Sequence, residues 1–257
     1  SFSKNKILQN EMFKYFPKAI LNFKGKRFNH NELIEYIKDA DAAIVGLEMI
    51  DKKVLDKCQN LKILAKYGVG LNNIDLETCR EKNVSIGWTG GVNKLSVAEM
   101  TLGFMLMSTR NLYATSNELK NSIWNKSGGF QLSGKNVGII GLGYTGKELV
   151  RLLKPFGCKI LVNDIINQDK YYKENNLKET SKEQIFKTSD IVTIHTPYNH
   201  TTNNMINIEV LKSMRNSAYI INTSRGGIVN EADLKHALQN NIKSGAAIDV
   251  DLEEPPT

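Results

Sequence analysis

Five near-continuous apolar runs crowd the second half of the chain: "NVGIIG" (136–141), "KILVND" (159–164), "DIVTIH" (190–195), "AYIIN" (218–222) and "GAAIDV" (245–250). Runs without polar alternation belong to strands buried on both faces, and that is the signature of a parallel sheet covered by helices. Helical patterns over 144–154, 207–214 and 230–239 lie between them. The spacing predicts a doubly wound sheet. The first half carries a weaker version of the same alternation. "AILNF" (19–23), "AAIVG" (42–46), "KILAK" (62–66) and "VSIG" (84–87) read as strands, with amphipathic helices between them. A long apolar helix is expected over 95–112. The predicted organisation is two α/β domains, 1–94 and 95–257, the first a smaller parallel sheet, the second a doubly wound one.

The first apolar run of the second domain ends in "GLGYTG", a G-x-G-x-x-G set made of Gly141, Gly143 and Gly146. The hexamer alone is weak, but here it follows a strand and opens a helix. Gly141 permits the tight turn, Gly143 lets the backbone approach a pyrophosphate, and Gly146 lets helix and strand pack closely. The amides of Tyr144 and Thr145 then lie at a helix N-terminus, where a phosphate is favoured. Asp164 ends the next strand, 18 residues beyond Gly146. A carboxylate there accepts hydrogen bonds from an adenosine ribose. Ile165 and Ile166 follow it, with no adjacent cation to meet a 2′-phosphate, so NAD is expected rather than NADP.

A second turn raises a different question. "YIINTSRGGIV" (219–229) reads as a buried strand ending in Asn222, Thr223 and Ser224, then Arg225, then Gly226 and Gly227. A guanidinium at the mouth of a buried strand needs a partner. Either Arg225 makes a structural ion pair, or the site holds an anion from outside the chain. The two glycines are expected to leave room for that ligand.

Other classes find little support. The net charge is +7, yet the lysines are dispersed among acids and no block of like charge appears, so no nucleic-acid partner is expected. The longest apolar stretch, Leu102 to Met107, is far too short to span a bilayer. Cys58, Cys79 and Cys158 are widely spaced and suggest no metal site and no disulfide framework. That usage fits a reducing cytoplasm.

With these motifs in order, the chain resembles the D-isomer-specific 2-hydroxyacid dehydrogenases. The resemblance covers nearly the whole length: "KYGVGLNNID" (66–75), "NKLSVAEMTLGFML" (93–106), "GKNVGIIGLGYTGKELVRLLKPFGCKILVND" (134–164), "SDIVTIHTPYNHTTNNMI" (189–206), "MRNSAYIINTSRGGIVNEADL" (214–234) and "GAAIDVDLEEPP" (245–256). It implies two doubly wound parallel-sheet domains, a smaller flavodoxin-like substrate domain and a Rossmann-type NAD-binding domain, in an NAD-dependent oxidoreductase with the cofactor in the cleft between them. A hydride would pass between nicotinamide and C2 of a small 2-hydroxy or 2-oxo acid. On this resemblance Arg225 holds the substrate carboxylate and carbonyl, and Glu254 pairs with a proton-shuttling histidine. Asp249 holds the nicotinamide carboxamide. His195, Thr196, Pro197, Thr202 and Thr223 line the cofactor. Gly68, Val69 and Gly70 offer backbone amides to the substrate carboxylate, with Lys66 and Tyr67 beside its distal end. A phosphorylated, 3-phosphoglycerate-like acid is mildly favoured, and a homodimer is expected by analogy. The family's histidine does not occur by Thr257, and the opening resembles the helix after the family's first strand. A longer natural chain is therefore expected. Asp251 stands where relatives usually carry an aromatic residue. The rival reading is an NAD(H)-sensing, corepressor-like protein on the same fold.

Overall fold

The computed structural model describes residues 2–253. The chain divides into two units, Ser1–Asn93 and Lys94–Thr257. No helix among the described residues is long and apolar enough to cross a membrane.

The first unit opens with a short 3₁₀ turn and helix α1 (Lys6–Tyr15). It continues through α2 (His30–Ile37), β1 (Ala42–Val45), α3 (Lys52–Lys57), β2 (Ile63–Lys66), α4 (Leu76–Glu81) and β3 (Ser85–Gly87). Side chains of Asn5, Asn29, Asp51 and Asp75 cap the four helices by accepting from first-turn amides. Such caps satisfy groups that a helix leaves unpaired. Leu33, Ile37, Val54, Leu55, Leu64 and Ile74 form the core. The strands are parallel in the order β1-β2-β3, with no reversal of order among the described residues. The strand expected at 19–23 does not form. The Gly25 amide donates to Asn22 O at 3.0 Å, and the Asn22 amide side chain bonds both N–H and C=O of Lys26. Backbone groups are thus used locally, and Ile20 is left 80% exposed.

The second unit contains α5 (Lys94–Thr109), α6 (Leu112–Lys120), β4 (Asn136–Ile140), α7 (Tyr144–Leu153), β5 (Lys159–Asn163), α8 (Asp169–Asn175) and β6 (Lys178–Glu179). Then come α9 (Lys182–Thr188), β7 (Ile191–Ile194), α10 (Ile208–Ser213), β8 (Tyr219–Asn222), α11 (Glu231–Gln239) and β9 (Gly245–Ile248). All strand pairs are parallel, in the order β6-β5-β4-β7-β8-β9. Counted within the unit this is 3-2-1-4-5-6, so the order reverses between β4 and β7. Ligands bind at that crevice in open α/β sheets. The single helix expected over 95–112 breaks at Asn111, which adopts a left-handed conformation (φ 52°) and donates through its amide side chain to Ser127 O. α8, β6 and α9 go beyond the expected elements. Their segments are short and polar, and β6 is a two-residue exposed edge.

Candidate functional site

At the switch point the three glycines stand in three different surroundings. Gly141 has φ 95°, and a Cβ there would lie 2.6 Å from the carbonyl oxygen of His195. It seals the end of β4 against the end of β7. A Cβ on Gly146 would land on the carbonyl oxygen of Gly141, so this glycine serves helix–turn packing. Gly143 is exposed, and a Cβ on it would meet nothing within 4 Å. It is the N-cap of α7 and supplies no capping side chain. The first-turn amides, including those of Tyr144 and Thr145, therefore receive no capping side chain from Gly143.

Asp164 is fixed from two sides. Its Oδ2 accepts from the Leu142 amide at 2.6 Å and its Oδ1 from the Ile166 amide at 2.9 Å. The carboxylate is thus held on the glycine-rich turn itself, with lone pairs left for further donors. Ile165 beside it is 99% exposed, an apolar side chain with nothing to pack on.

Across the crevice, His195 follows β7. Its Nε2 lies 2.9 Å from Thr193 Oγ1, and burial pushes its pKa down to about 4. The ring is neutral at pH 7 and carries no charge toward a ligand. The next residue, Thr196, has a buried hydroxyl with no hydrogen-bond partner, an expensive arrangement unless something else supplies one. The Thr202 hydroxyl donates to Pro197 O at 2.8 Å and accepts from the Asn199 amide, so it shapes the 197–202 loop. Thr223 pairs with Thr101 of α5 at 2.9 Å and is spent inside the unit. An uncapped helix start, an orphaned hydroxyl, a pre-oriented carboxylate and a bare isoleucine fit a diphosphate, a ribose and an adenine. The set fits NAD.

Arg225 follows β8. Its Nη1 donates to Ser224 O at 2.6 Å, and among the described residues it has no carboxylate within ion-pair distance. The turn is organised by Asn222, which reads in the sequence as no more than a strand end. Asn222 is 1% exposed; its Oδ1 accepts from the Ser224 amide and hydroxyl, and its Nδ2 donates to Arg225 O at 2.9 Å. An asparagine bonding the backbone beyond a strand is ordinary turn chemistry, and that signal is present in the sequence.

The glycines after Arg225 do not leave room for a ligand. A Cβ on Gly226 would land on the carbonyl of Asp251, and one on Gly227 would lie 3.0 Å from the Tyr198 ring and 3.1 Å from Leu252 Cδ1. The chain's own segment fills that space, and Glu231 tethers it by accepting from the Leu252 amide at 2.6 Å. Asp249 is exposed at the end of β9, with its amide donating to Asn222 O at 3.0 Å. Glu254 lies outside the described residues.

In the first unit, Gly68 has φ 137° and is exposed. Val69 O accepts from Trp88 Nε1 at 3.0 Å, and Gly70 completes the turn half-buried. Tyr67 is 46% exposed and stands edge-on to Phe2. Lys66 turns inward: its ammonium donates to Gly46 O and to Asn73 Oδ1, the latter at 2.7 Å. Asn73, buried and bonded also to Glu48 O at 2.6 Å, is a second organiser that carries no mark in the sequence. Among the described residues no group of three or more His, Cys, Asp or Glu side chains is placed to hold a metal ion.

The model of the D-isomer specific 2-hydroxyacid dehydrogenase NAD binding domain matches residues 102–257. D-3-phosphoglycerate dehydrogenase of Methanocaldococcus jannaschii is 35% identical over 234 residues, 88% of this chain and 44% of its own length. The chain thus spans less than half of that relative. Glyoxylate reductase of Thermofilum pendens is 35% identical over 235 residues, 88% of this chain and 69% of its own. The solved NAD-dependent formate dehydrogenase from Staphylococcus aureus, in complex with NAD, superposes with a TM-score of 0.84 at 28% identity, covering 99% of this chain and 77% of its own. A reversed strand order with a glycine turn at its switch point, and a family match running from α5 through that turn to Thr257, give one answer: the chain belongs to the D-isomer-specific 2-hydroxyacid dehydrogenases, and its second unit is their NAD-binding domain.

Proposed function

We propose that the chain is an NAD-dependent dehydrogenase that transfers a hydride between the nicotinamide and C2 of a short 2-hydroxy or 2-oxo acid. The observation that carries this reading is Arg225: a guanidinium at a strand mouth, with its turn built around it and no acid beside it among the described residues. Its planar fork matches the carboxylate and carbonyl of a 2-oxo acid. The same group stabilises charge developing on the carbonyl oxygen as the hydride arrives. NADH supplies that hydride when bound.

The remaining roles are part of the same reading. The Tyr144 and Thr145 amides bind the diphosphate, and Asp164 accepts from the ribose hydroxyls. The Thr196 hydroxyl gains its missing partner from the dinucleotide, whose edge runs past His195 and Pro197. Thr202 and Thr223 act one step back, by holding the loop and the strand end. Asp249 takes the carboxamide. Gly68, Val69 and Gly70 offer amides to the acid. Glu254 raises the pKa of a histidine by placing a carboxylate beside it.

The finer substrate reading is open to a direct contest. A phosphorylated acid draws support from the phosphoglycerate dehydrogenase relative. The inward ammonium of Lys66 counts against it, since that cation is already bonded to Gly46 and Asn73. Exposed Leu112, Tyr113, Leu119 and Trp124 offer the second unit apolar surface for a homodimer, which sedimentation would measure. Cytoplasmic residence goes with this reading.

The test is NADH oxidation with glyoxylate, hydroxypyruvate, pyruvate and phosphohydroxypyruvate. Turnover with at least one acid, cut about 10²–10³-fold in Arg225→Gln, is expected. Tight NADH binding with no turnover on any acid would instead favour a nucleotide sensor.

A further inference from the structure

Ligands of open α/β sheets lie outside the carboxyl ends of the strands. In the first unit those ends belong to β1, β2 and β3, side by side in one parallel sheet. Three connections leave them: 46–51, 67–75 and 88–93. None contains a lysine or arginine. They present apolar surface instead. Leu47 is 79% exposed and Met49 50%, with Tyr67 and Trp88 nearly half exposed. The Phe2 ring stands against Tyr67, and Trp88 Nε1 donates to Val69 O. The first two connections are laced together. The Tyr67 amide donates to Val45 O, the Ile50 amide to Asn73 O and the Asp75 amide to Ile50 O, each at 2.8 Å. Asn73 also donates to the carbonyls of Gly46 and Glu48. Leu47 and Met49 are thus carried on a braced loop next to the one that holds Gly68 and Gly70. Of the acids on these connections, Asp51 and Asp75 cap α3 and α4. Glu48 bends back on its own loop, its Oε2 accepting from the Gly46 amide at 2.7 Å.

We infer that this rim receives the side chain of the substrate, and that the substrate is a 2-oxo acid with an aliphatic, apolar side chain. The inference rests on the reading that the chain is a dehydrogenase whose Gly68–Gly70 amides hold the acid. Carbons beyond C2 of an acid held there meet Leu47, Met49 and Tyr67. Covering those side chains removes apolar surface from water on both partners. A phosphate in the same place meets the Glu48 carboxylate, which repels it, and no lysine or arginine on the three connections. Lys66, which precedes the second connection, already donates to Gly46 O and Asn73 Oδ1. Single exposed apolar residues are ordinary. Leu47, Met49, Tyr67 and Trp88 differ in standing together on adjacent strand ends, where a ligand is expected.

Initial rates of NADH oxidation by the whole protein test this, with glyoxylate, pyruvate, 2-oxobutanoate, 4-methyl-2-oxopentanoate and phosphohydroxypyruvate as acids. The kcat/KM for 4-methyl-2-oxopentanoate is expected to exceed that for pyruvate about tenfold or more. Phosphohydroxypyruvate is expected to fall below pyruvate. At least one of Leu47→Ser and Met49→Ser should lower the ratio of kcat/KM for 4-methyl-2-oxopentanoate to that for pyruvate, about threefold or more. Both positions are exposed, so the melting temperatures should stay at the wild-type value. Three results overturn the inference alone: glyoxylate or pyruvate is used as well as 4-methyl-2-oxopentanoate, phosphohydroxypyruvate is preferred to pyruvate, or the ratio is unchanged in both serine variants. A wild type that turns over none of the five acids refutes the dehydrogenase reading, and this inference with it.

Discussion

Two glycine-bearing turns in the second unit, Gly141–Gly146 after β4 and Gly226–Gly227 after β8, look alike in sequence and behave differently in space. In the first, two glycines are spent on internal packing and the third, Gly143, opens onto nothing. In the second, both glycines make way for the protein itself: the Asp251 carbonyl, Leu252 and Tyr198. A glycine therefore marks a close approach, and only the neighbours reveal whether a ligand or the chain makes it. Function at the second turn rests on Arg225, and the glycines beside it are there for packing.

Arg225→Gln should lower kcat/KM about 10²–10³-fold, roughly 3–4 kcal/mol of transition-state stabilisation, with NADH affinity and melting temperature nearly unchanged. Arg225→Lys should rescue little, because an ammonium lacks the planar fork. A large loss of stability in Arg225→Gln would mean that the arginine is structural. Gly226→Ala must displace the Asp251 backbone and should cost about 3 kcal/mol in a denaturation experiment, with or without nucleotide. A stable Gly226→Ala that had lost only substrate affinity would erase the difference between the turns.

His195 walls the first turn, and its pH dependence can be signed. Burial holds its folded pKa at about 4 against the ordinary 6.5, so the fold favours the neutral ring. The penalty is absent above pH 6.5, grows as pH falls and is complete below about 4. Near pH 5 wild type should lose roughly 2 kcal/mol relative to His195→Asn, each referred to its own stability at about pH 7.5. Parallel stability curves for the two proteins would show that the ring is not desolvated. Smallest is Gly143→Ala. It should leave the melting temperature intact, since its Cβ meets nothing, yet weaken NADH about tenfold, roughly 1.4 kcal/mol, by crowding the diphosphate.

Much of the second unit is legible because its strands are buried on both faces and spell themselves out as apolar runs. The first unit is harder. "AILNF" has strand composition, but Asn22 and Gly25 turn the chain back on itself before a ladder can form. Asn111 stops a helix whose apolar content carries no sign of a break, because a single left-handed residue suffices. At the site, residue identities are readable and their engagements are not. Lys66 looks available, yet it bonds Gly46 and Asn73, residues 20 and 7 positions away.

The most direct test of the account is a calorimetric titration of the wild-type protein and Gly143→Ala with NADH. Saturable binding at one site per chain is expected in the wild type, weakened in the variant at equal thermal stability. No binding by a wild type that melts cooperatively would contradict it, and equal binding by the two proteins would show that the open side of the glycine turn is not where the dinucleotide lies.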